Sequence, residues 1–397
     1  MSMILNPEKI YDFTLGIVGG GQLGKMLAQK AKTMGAKVVV LDPTPGSPAG
    51  EVSDKQIVSD FFNREGFLEL ARESDIVTYE FEHISAGFLR ELEDQGYVVR
   101  PSATTLEIIQ DKKRQKSFLA QNSIPVVNFA PVEDFEGLKT AVQELGVPAM
   151  LKSSKGGYDG KGNYLIELDG EKDELEPELE KAYNELGGDD NPMYLERFLD
   201  FEQEVSVMAA RNGEGVVVNY PVVQNIHTES ILQCTIAPAK ISEQVKKRVE
   251  EISREIMSLF GDIGIFGIEF FVGKDQEAYV NEIAPRPHNS GHYTIEACDI
   301  SQFETHLRAI MDLPLNQPVL TRPAVMMNLL GEDKEGNPVV NNLDKALEIE
   351  GLSFHLYRKK QSRPKRKMGH FTVCADTREK ARKKAKEAFS RLKITGE

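Results

Sequence analysis

The tightest constraint on the fold lies in residues 265–283. Ile265 to Val272 and Ala278 to Ile283 are apolar, β-branched and aromatic runs separated by the polar stretch Lys274 to Glu277, the pattern of a β-hairpin. Each run carries one carboxylate, Glu269 in the first and Glu282 in the second. A regular hairpin pairs residue 272 with 279, 270 with 281 and 269 with 282. Both glutamates then sit opposite each other on one face, among Ile, Phe and Val side chains. Facing like charges destabilise a sheet. The apolar neighbours imply burial, so the pair calls for a cation such as Mg²⁺ bridging nucleotide phosphates. Two solvated glutamates on an amphipathic hairpin are the plainer alternative. In a flat strand Asn281 points to the other face, so a metal role for it requires a local twist.

Upstream, Leu151 to Gly162 packs four glycines and three lysines into twelve residues. Val147 to Lys152 reads as a strand, Ser153 to Gly162 as a loop and Asn163 to Leu168 as the returning strand. Glycine lets backbone N–H groups turn toward an anion, and lysines neutralise phosphate. A strand–loop–strand setting suits a lid over phosphates; a solvated hairpin loop is the alternative. No Gly-Lys-Ser/Thr opens a helix here, so this is not a Walker loop. Ala284 to His292, directly after the hairpin, carries two prolines and many donors. Arg286 there suits an anion beside the metal. A zinc site from His288, His292 and Glu296 fits by spacing, but Gly291 and the prolines oppose the helix it needs.

The N-terminal third opens as a βαβ unit: strand Leu15 to Val18, helix Met26 to Met34, strand Lys37 to Leu41 ending at Asp42. Gly19, Gly21 and Gly24 fit a dinucleotide turn or a tight packing turn equally, and no second mononucleotide half follows. Ile76 to Tyr79 is a further strand with Glu80 and Glu82 at its C-terminal end. A helix over Ser85 to Asp94 and a strand over Tyr97 to Arg100 follow. Ser102 N-caps a helix running to about Asn122. Glu171 to Leu186 and Ser242 to Phe260 read as helices, and Tyr194 to Phe198 and Glu204 to Ala210 as strands. Beyond Pro323 come short strands and a basic C-terminal helix.

The net charge of −14 disfavours nonspecific nucleic-acid binding and makes the cationic run Arg358 to Lys367 conspicuous. It reads as a small-molecule phosphate site, with a solvated charge run or a nucleic-acid patch as alternatives. Three scattered cysteines argue against a disulfide framework. No apolar run reaches membrane-spanning length and the polar N-terminus lacks a signal segment, so a cytoplasmic protein without membrane or nucleic-acid partners is expected.

Three stretches together, Gly19-Gly20-Gly21-Gln22-Leu23-Gly24-Lys25-Met26, Gly156 to Gly162 and Asn281 to His292, resemble the ATP-grasp superfamily. The closer resemblance is to the 5-(carboxyamino)imidazole ribonucleotide synthetases, over nearly the whole chain. It implies an α/β chain with α+β elements in three parts. Residues 1–105 form a Rossmann-like, doubly wound parallel-sheet pre-ATP-grasp domain. Residues 106–320 form a two-lobed ATP-grasp fold with a lid subdomain at about 125–195. Residues 321–397 form a small β-rich domain completing the substrate site. The implied reaction carboxylates the amine of 5-aminoimidazole ribonucleotide, using ATP, Mg²⁺ and bicarbonate through carboxyphosphate, in a homodimer.

Residue by residue, the resemblance implies that Lys112 and Lys152 contact ATP phosphates and that Glu196, Arg197, Phe198 and Leu199 line the adenine pocket. Glu204 holds the ribose, with His227 near the nucleotide. Glu269 and Glu282 ligate Mg²⁺, with Asn281 beside the nucleotide. Gly157, Tyr158, Asp159, Gly160, Lys161 and Gly162 close over the ligands, Tyr158, Asp159 and Lys161 touching the ribonucleotide. Gln22, Glu80, Arg286, Asn289 and Ser290 complete its site, and Lys359 and Arg366 bind its phosphate. Lys152 and Arg286 are the implied catalytic cations, and Asp159 and His292 the two candidates for accepting the amine proton. The family commonly has Arg at the position of Lys112, which here keeps the charge without the bidentate geometry. Ser153-Ser154-Lys155 also lacks an arginine often found there. The rival readings are a formate-dependent glycinamide ribonucleotide transformylase, an NAD-dependent oxidoreductase and a nucleotide-binding scaffold without turnover.

Overall fold

The computed structural model describes residues 7–156, 162–167, 175–332 and 334–397. Its N-terminal unit is a four-stranded parallel sheet in the order Lys55–Ile57, Lys37–Leu41, Thr14–Val18, Ile76–Tyr79. Helices Gln22–Thr33, Arg64–Arg72 and Ala86–Asp94 accompany it, and Leu15, Ile17, Val18, Val38, Val40 and Leu41 are buried. Near-continuous apolar strands are what a parallel sheet covered on both faces requires. Ser85 caps the third helix by accepting the Phe88 N–H. The strand expected at Tyr97 to Arg100 reduces to a single parallel bridge between Val77 and Val99. Pro101, which has no N–H, follows at once.

The single helix expected from Ser102 to about Asn122 is two. Ser102 caps Ala103–Ile109, and Asp111 caps Lys112–Gln121 by accepting the Arg114 N–H at 3.0 Å. The break occurs because Asp111 satisfies the new helix's donors, while the Lys112 N–H donates to the Ser154 carbonyl at 2.7 Å.

Two further sheets follow. The smaller is antiparallel, in the order Phe129–Val132, Met193–Arg197, Ala149–Ser153, Asn163–Ile166, and packs against helices Phe135–Leu145 and Leu175–Glu185. The larger runs Ala278–Ala284, Gly264–Gly273, Phe201–Arg211, Val223–Thr228, Ile231–Ala237, Ala324–Leu330, Lys367–Cys374, Leu352–Leu356. Helix Glu243–Phe260, capped by Ser242, lays Val245, Val249, Ile252 and Ile256 on it. Its last three strands come from the C-terminal segment. The first of them, Ala324–Leu330, pairs onto Ile231–Ala237, which would otherwise be an open apolar edge, and the other two extend the sheet from it.

Within the hairpin, Glu269 pairs with Glu282 as the alternation requires. The register then shifts by one, Phe270 pairing with Val280 and Val272 with Ala278. The expected pairings 270–281 and 272–279 are therefore not formed. Asn281 is the extra residue of a β-bulge, which bends the strand and re-aims its side chain.

His306, in helix Gln302–Ile310, ties the first sheet to the largest one. Its Nε2 lies 3.1 Å from Thr78 Oγ1, and its Nδ1 accepts the Ile265 N–H at 3.2 Å. An Nδ1 that accepts leaves no room for a second ring proton, and burial pushes His306 down to about 3. The folded value lies below the unfolded one, so this contribution is fully present above pH ~6.5 and is lost as pH falls toward 3. His306→Gln is expected to reduce the acid-side loss of stability by about 1.4 kcal/mol per pH unit across that window. It should also cost about 1–3 kcal/mol at pH 7 through broken buried hydrogen bonds. Urea unfolding from pH 4 to 8 of both proteins measures this.

Candidate active site

Glu269, Asn281 and Glu282 line one cavity of about 680 Å³. The bulge thus supplies the twist that a flat strand lacks. The Glu269 side chain is only 17 % exposed, and His288 Nδ1 stands 3.8 Å from its Oε1. That oxygen has no hydrogen-bond partner among the described residues. Burial pushes the Glu269 carboxyl up to about 7; His227 opposes the rise, while Glu282 and Glu204 add to it. Glu282 behaves oppositely. Burial raises it, but the Lys112 ammonium 3.2 Å from its Oε2, with Lys152 and Arg286 beyond, brings it below its ordinary value. Of the facing pair, burial therefore favours the proton on Glu269, while the Lys112 ammonium favours the charge on Glu282.

Lys152 stands on strand Ala149–Ser153, its Nζ 3.2 Å from Glu196 Oε2. Lys116 Nζ lies 3.2 Å from the same oxygen. Lys116 and Glu196 are both buried. Burial raises the Glu196 carboxyl, but the two ammonium groups overcome it and hold it below its usual value. Burial lowers the Lys116 amine, against the pull of Glu196. A buried carboxylate between two cations is stable where any one of the three alone is not. Lys116 went unremarked in the sequence, although it lies one helical turn after Lys112, on the same face.

Lys112, Lys152, Glu204 and His227 line the same cavity. His227 Nδ1 is 2.7 Å from Glu204 Oε2. Burial lowers the His227 imidazole, but Glu204 and Glu269 raise it above its ordinary value. Gly156 and Asn163, at the two ends of the glycine-rich loop, line the cavity, and Gly162 accepts the Ser153 N–H. Gly157, Tyr158, Asp159, Gly160 and Lys161 lie outside the described residues. Gln22, Arg286 and Asn289 also face the cavity, joined by Glu82, His288 and Lys367. Arg286 Nη2 donates to Glu82 Oε2 at 2.8 Å, and its buried Nε has no partner among the described residues. Asn289 exchanges amide hydrogen bonds with Asn328, and Ser290 Oγ is 2.9 Å from His288 Nδ1.

Several expected residues lie elsewhere. His292 is buried in a ring stack with Phe303 and with His370 at 4.6 Å, bonded to Gln302 and absent from the cavity lining. Burial lowers its imidazole to about 3, and the ring packs away from the cavity that it was expected to serve. Glu196 braces Lys152 instead of facing the cavity. Arg197, Phe198 and Leu199 do not line it either, the Arg197 and Phe198 N–H groups donating to Asn128 and Pro148; Met150 and Phe201 do.

Glu80 is buried against the glycine turn, accepting the Gly21 and Gly24 N–H groups at 2.5 and 2.6 Å. Asp42 accepts the Gly20 N–H at 2.8 Å. Protein carboxylates thus take the donors a dinucleotide phosphate would need, which overturns the NAD reading. Lys359 lines a second cavity, and Arg366 donates to the Gln361 carbonyl at 2.8 Å. Burial lowers the Lys359 amine to about 8, Arg366 and Lys367 adding to the effect and Glu80 opposing it.

The donor set suits Mg²⁺. Two facing carboxylates, one with an orphaned buried oxygen, and an adjacent amide offer hard oxygen ligands, leaving positions for phosphate oxygens and water. Among the described residues no group of three or more His, Cys, Asp or Glu is placed to hold a metal unaided. Glu296 pairs with His355 at 2.5 Å and His292 sits in its stack, so the zinc reading also fails.

Residues 13–110 match the ribonucleotide synthetase preATP-grasp domain, 117–303 the ATP-grasp domain, and 324–384 the phosphoribosylaminoimidazole carboxylase C-terminal domain. The N5-carboxyaminoimidazole ribonucleotide synthase of Staphylococcus epidermidis is 40% identical over 94% of this chain and 95% of its own. The crystal structure of the Thermotoga maritima synthetase is 49% identical, with a TM-score of 0.87 over 97% of this chain and 100% of that one. The Aspergillus clavatus synthase, solved with ADP and 5-aminoimidazole ribonucleotide, is 32% identical, with a TM-score of 0.87 over 96% of this chain and 98% of that one. Such agreement along the full length, on a site of this geometry, means that the chain belongs to the N5-carboxyaminoimidazole ribonucleotide synthase family.

Proposed function

We propose that this chain uses ATP and bicarbonate to carboxylate the exocyclic amine of 5-aminoimidazole ribonucleotide. The observation that carries the reading is the bulged hairpin. It sets Glu269, Asn281 and Glu282 against Lys112 and Lys152 in a cavity that also reaches Arg286 and Asn289. Bound Mg²⁺, held by Glu269 and Glu282, would supply positive charge to the nucleotide phosphates. Lys152, braced by Glu196 and Lys116, and Lys112 hold the transferring phosphoryl group while bicarbonate oxygen attacks it, giving ADP and carboxyphosphate. Glu204 and His227, paired on the cavity wall, would hold the ribose. Arg286, whose Nε has no partner among the described residues and which Glu82 braces, suits the bicarbonate or carboxyphosphate anion.

Carboxyphosphate then breaks its C–O bond to give CO₂ and phosphate. The amine attacks CO₂, forming the N–C bond and losing a proton. Exclusion of water from the site would preserve the intermediate. Lys359 and Arg366 hold the ribonucleotide phosphate, and Asp159 accepts the amine proton. On the family resemblance, the reading extends to a cytoplasmic homodimer whose parts divide near residues 105 and 320.

The decisive assay follows ADP release from Mg-ATP and bicarbonate with and without the ribonucleotide. Release that requires the ribonucleotide, with labelled bicarbonate entering the product, supports the reading. Release with formate and glycinamide ribonucleotide instead would transfer the chain to the transformylase reading. Arg366→Ala should raise the ribonucleotide KM at least tenfold, on the order of one charge-assisted phosphate contact, while sparing that for ATP. Because the Glu269 carboxyl lies near 7, cation binding must expel its proton. Mg-ADP affinity should therefore weaken as pH falls from 8 to 6, by roughly tenfold per unit below 7, and Glu269→Gln should flatten that slope; titration calorimetry reads both.

A further inference from the structure

The N-terminal unit grips the chain at residues 356–360 from three sides. Lys25, in helix Gln22–Thr33, is only 7 % exposed. Its ammonium lies 3.3 Å from the Leu356 carbonyl oxygen and 3.5 Å from that of Tyr357. Successive carbonyls of an extended strand point in opposite directions, so one ammonium near both requires the chain to be leaving its strand. Strand Leu352–Leu356 ends at this point. Two residues beyond it, Arg358 has φ +61°, a left-handed conformation that a residue with a Cβ resists. Arg358 Nε meets Glu51 Oε2 at 3.0 Å, and Lys360 Nζ donates to the Pro45 carbonyl at 2.7 Å. Both partners belong to the N-terminal unit. Lys359 stands between these two anchors.

We propose that Lys25 is a positioning residue for ribonucleotide binding: by holding the Leu356 and Tyr357 carbonyls it maintains the left-handed turn at Arg358 that sets Lys359 toward the substrate phosphate. The inference rests on the phosphate-binding reading of Lys359. Two observations favour it over simple packing. Lys25 is charged in a helix whose other buried residues are apolar or glycine, and burial lowers its amine against only partial support from Glu51. A buried ammonium whose described contacts are two carbonyls is a costly way to fill space. Tyr357, moreover, belongs to the apolar core of the N-terminal unit while its hydroxyl meets His370 Nδ1 at 2.8 Å, so the same short segment is registered on both sides.

The test compares steady-state kinetics of Lys25→Met, Lys359→Met and the pair Lys25→Met with Arg358→Gly. Lys25→Met should raise the ribonucleotide KM on the order of tenfold and leave the ATP KM within about twofold. Adding Arg358→Gly should recover part of that loss, because glycine adopts the left-handed turn without being held there. Should Lys25→Met fail to fold, Lys25→Gln carries the same expectation. An unchanged ribonucleotide KM, or parallel losses in both KM values without rescue by Arg358→Gly, overturns the positioning role. If Lys359→Met itself leaves the ribonucleotide KM unchanged, the phosphate reading fails and the proposal falls with it. If Lys359→Met raises that KM and Lys25→Met does not, the positioning role alone is overturned.

Discussion

Two carboxylates facing each other in an apolar sheet set the terms for everything around them. Glu269 and Glu282 cannot both stay charged there without compensation. The structure answers with cations brought from distant parts of the chain: Lys112 from a helix, Lys152 from the smaller sheet and Arg286 from the loop after the hairpin. Those cations need anions of their own. Lys152 has Glu196, which Lys116 shares, and Arg286 has Glu82. The result is a lattice of alternating charge spanning all the layers that border the cavity. A nucleotide with its divalent cation would enter as one more alternation.

Much of this was legible in the amino-acid sequence because it rests on local periodicity. The strands of the first sheet, the helix Glu243–Phe260 with its serine cap, and the pairing of Glu269 with Glu282 follow from apolar spacing and capping chemistry. The misses were tertiary. A β-bulge is a slip of one residue, and alternation on either side of Asn281 reads the same with or without it. The helix break at Asp111 has a local signal, since aspartate is a strong N-cap, but the apolar pattern ran through it. Lys116 looks like an ordinary surface residue, and Glu196, assigned to the adenine pocket by resemblance, gives no local sign of its two cationic partners until the fold buries them together. His292 lies amid binding-loop chemistry, yet its ring packs inward on Phe303 and His370.

The glycine turn near the N-terminus shows how one backbone device serves different ends. Its N–H groups form an anion-binding nest, and in this chain the anions are the protein's own Glu80 and Asp42. Glu80 follows the neighbouring strand Ile76–Tyr79, so the turn locks helix Gln22–Thr33 to that strand. The same helix then carries Gln22 to the cavity.

The C-terminal segment adds its strands to the edge of the sheet that holds the two glutamates, so the hydrogen-bonded ladder runs unbroken from Ala278–Ala284 to Leu352–Leu356. Sequence families treat this segment as a module of its own. Mechanically it is a continuation. A relative's C-terminal segment grafted onto this chain would have to reproduce the pairing of Ala324 to Met327 with Ala237 to Cys234, residue for residue, because the strand is buried on both faces and a slip of one would exchange the side chains packed on each. The seam thus ties the two ends of the site into one sheet, and a change on either side of it has to keep the strands in step.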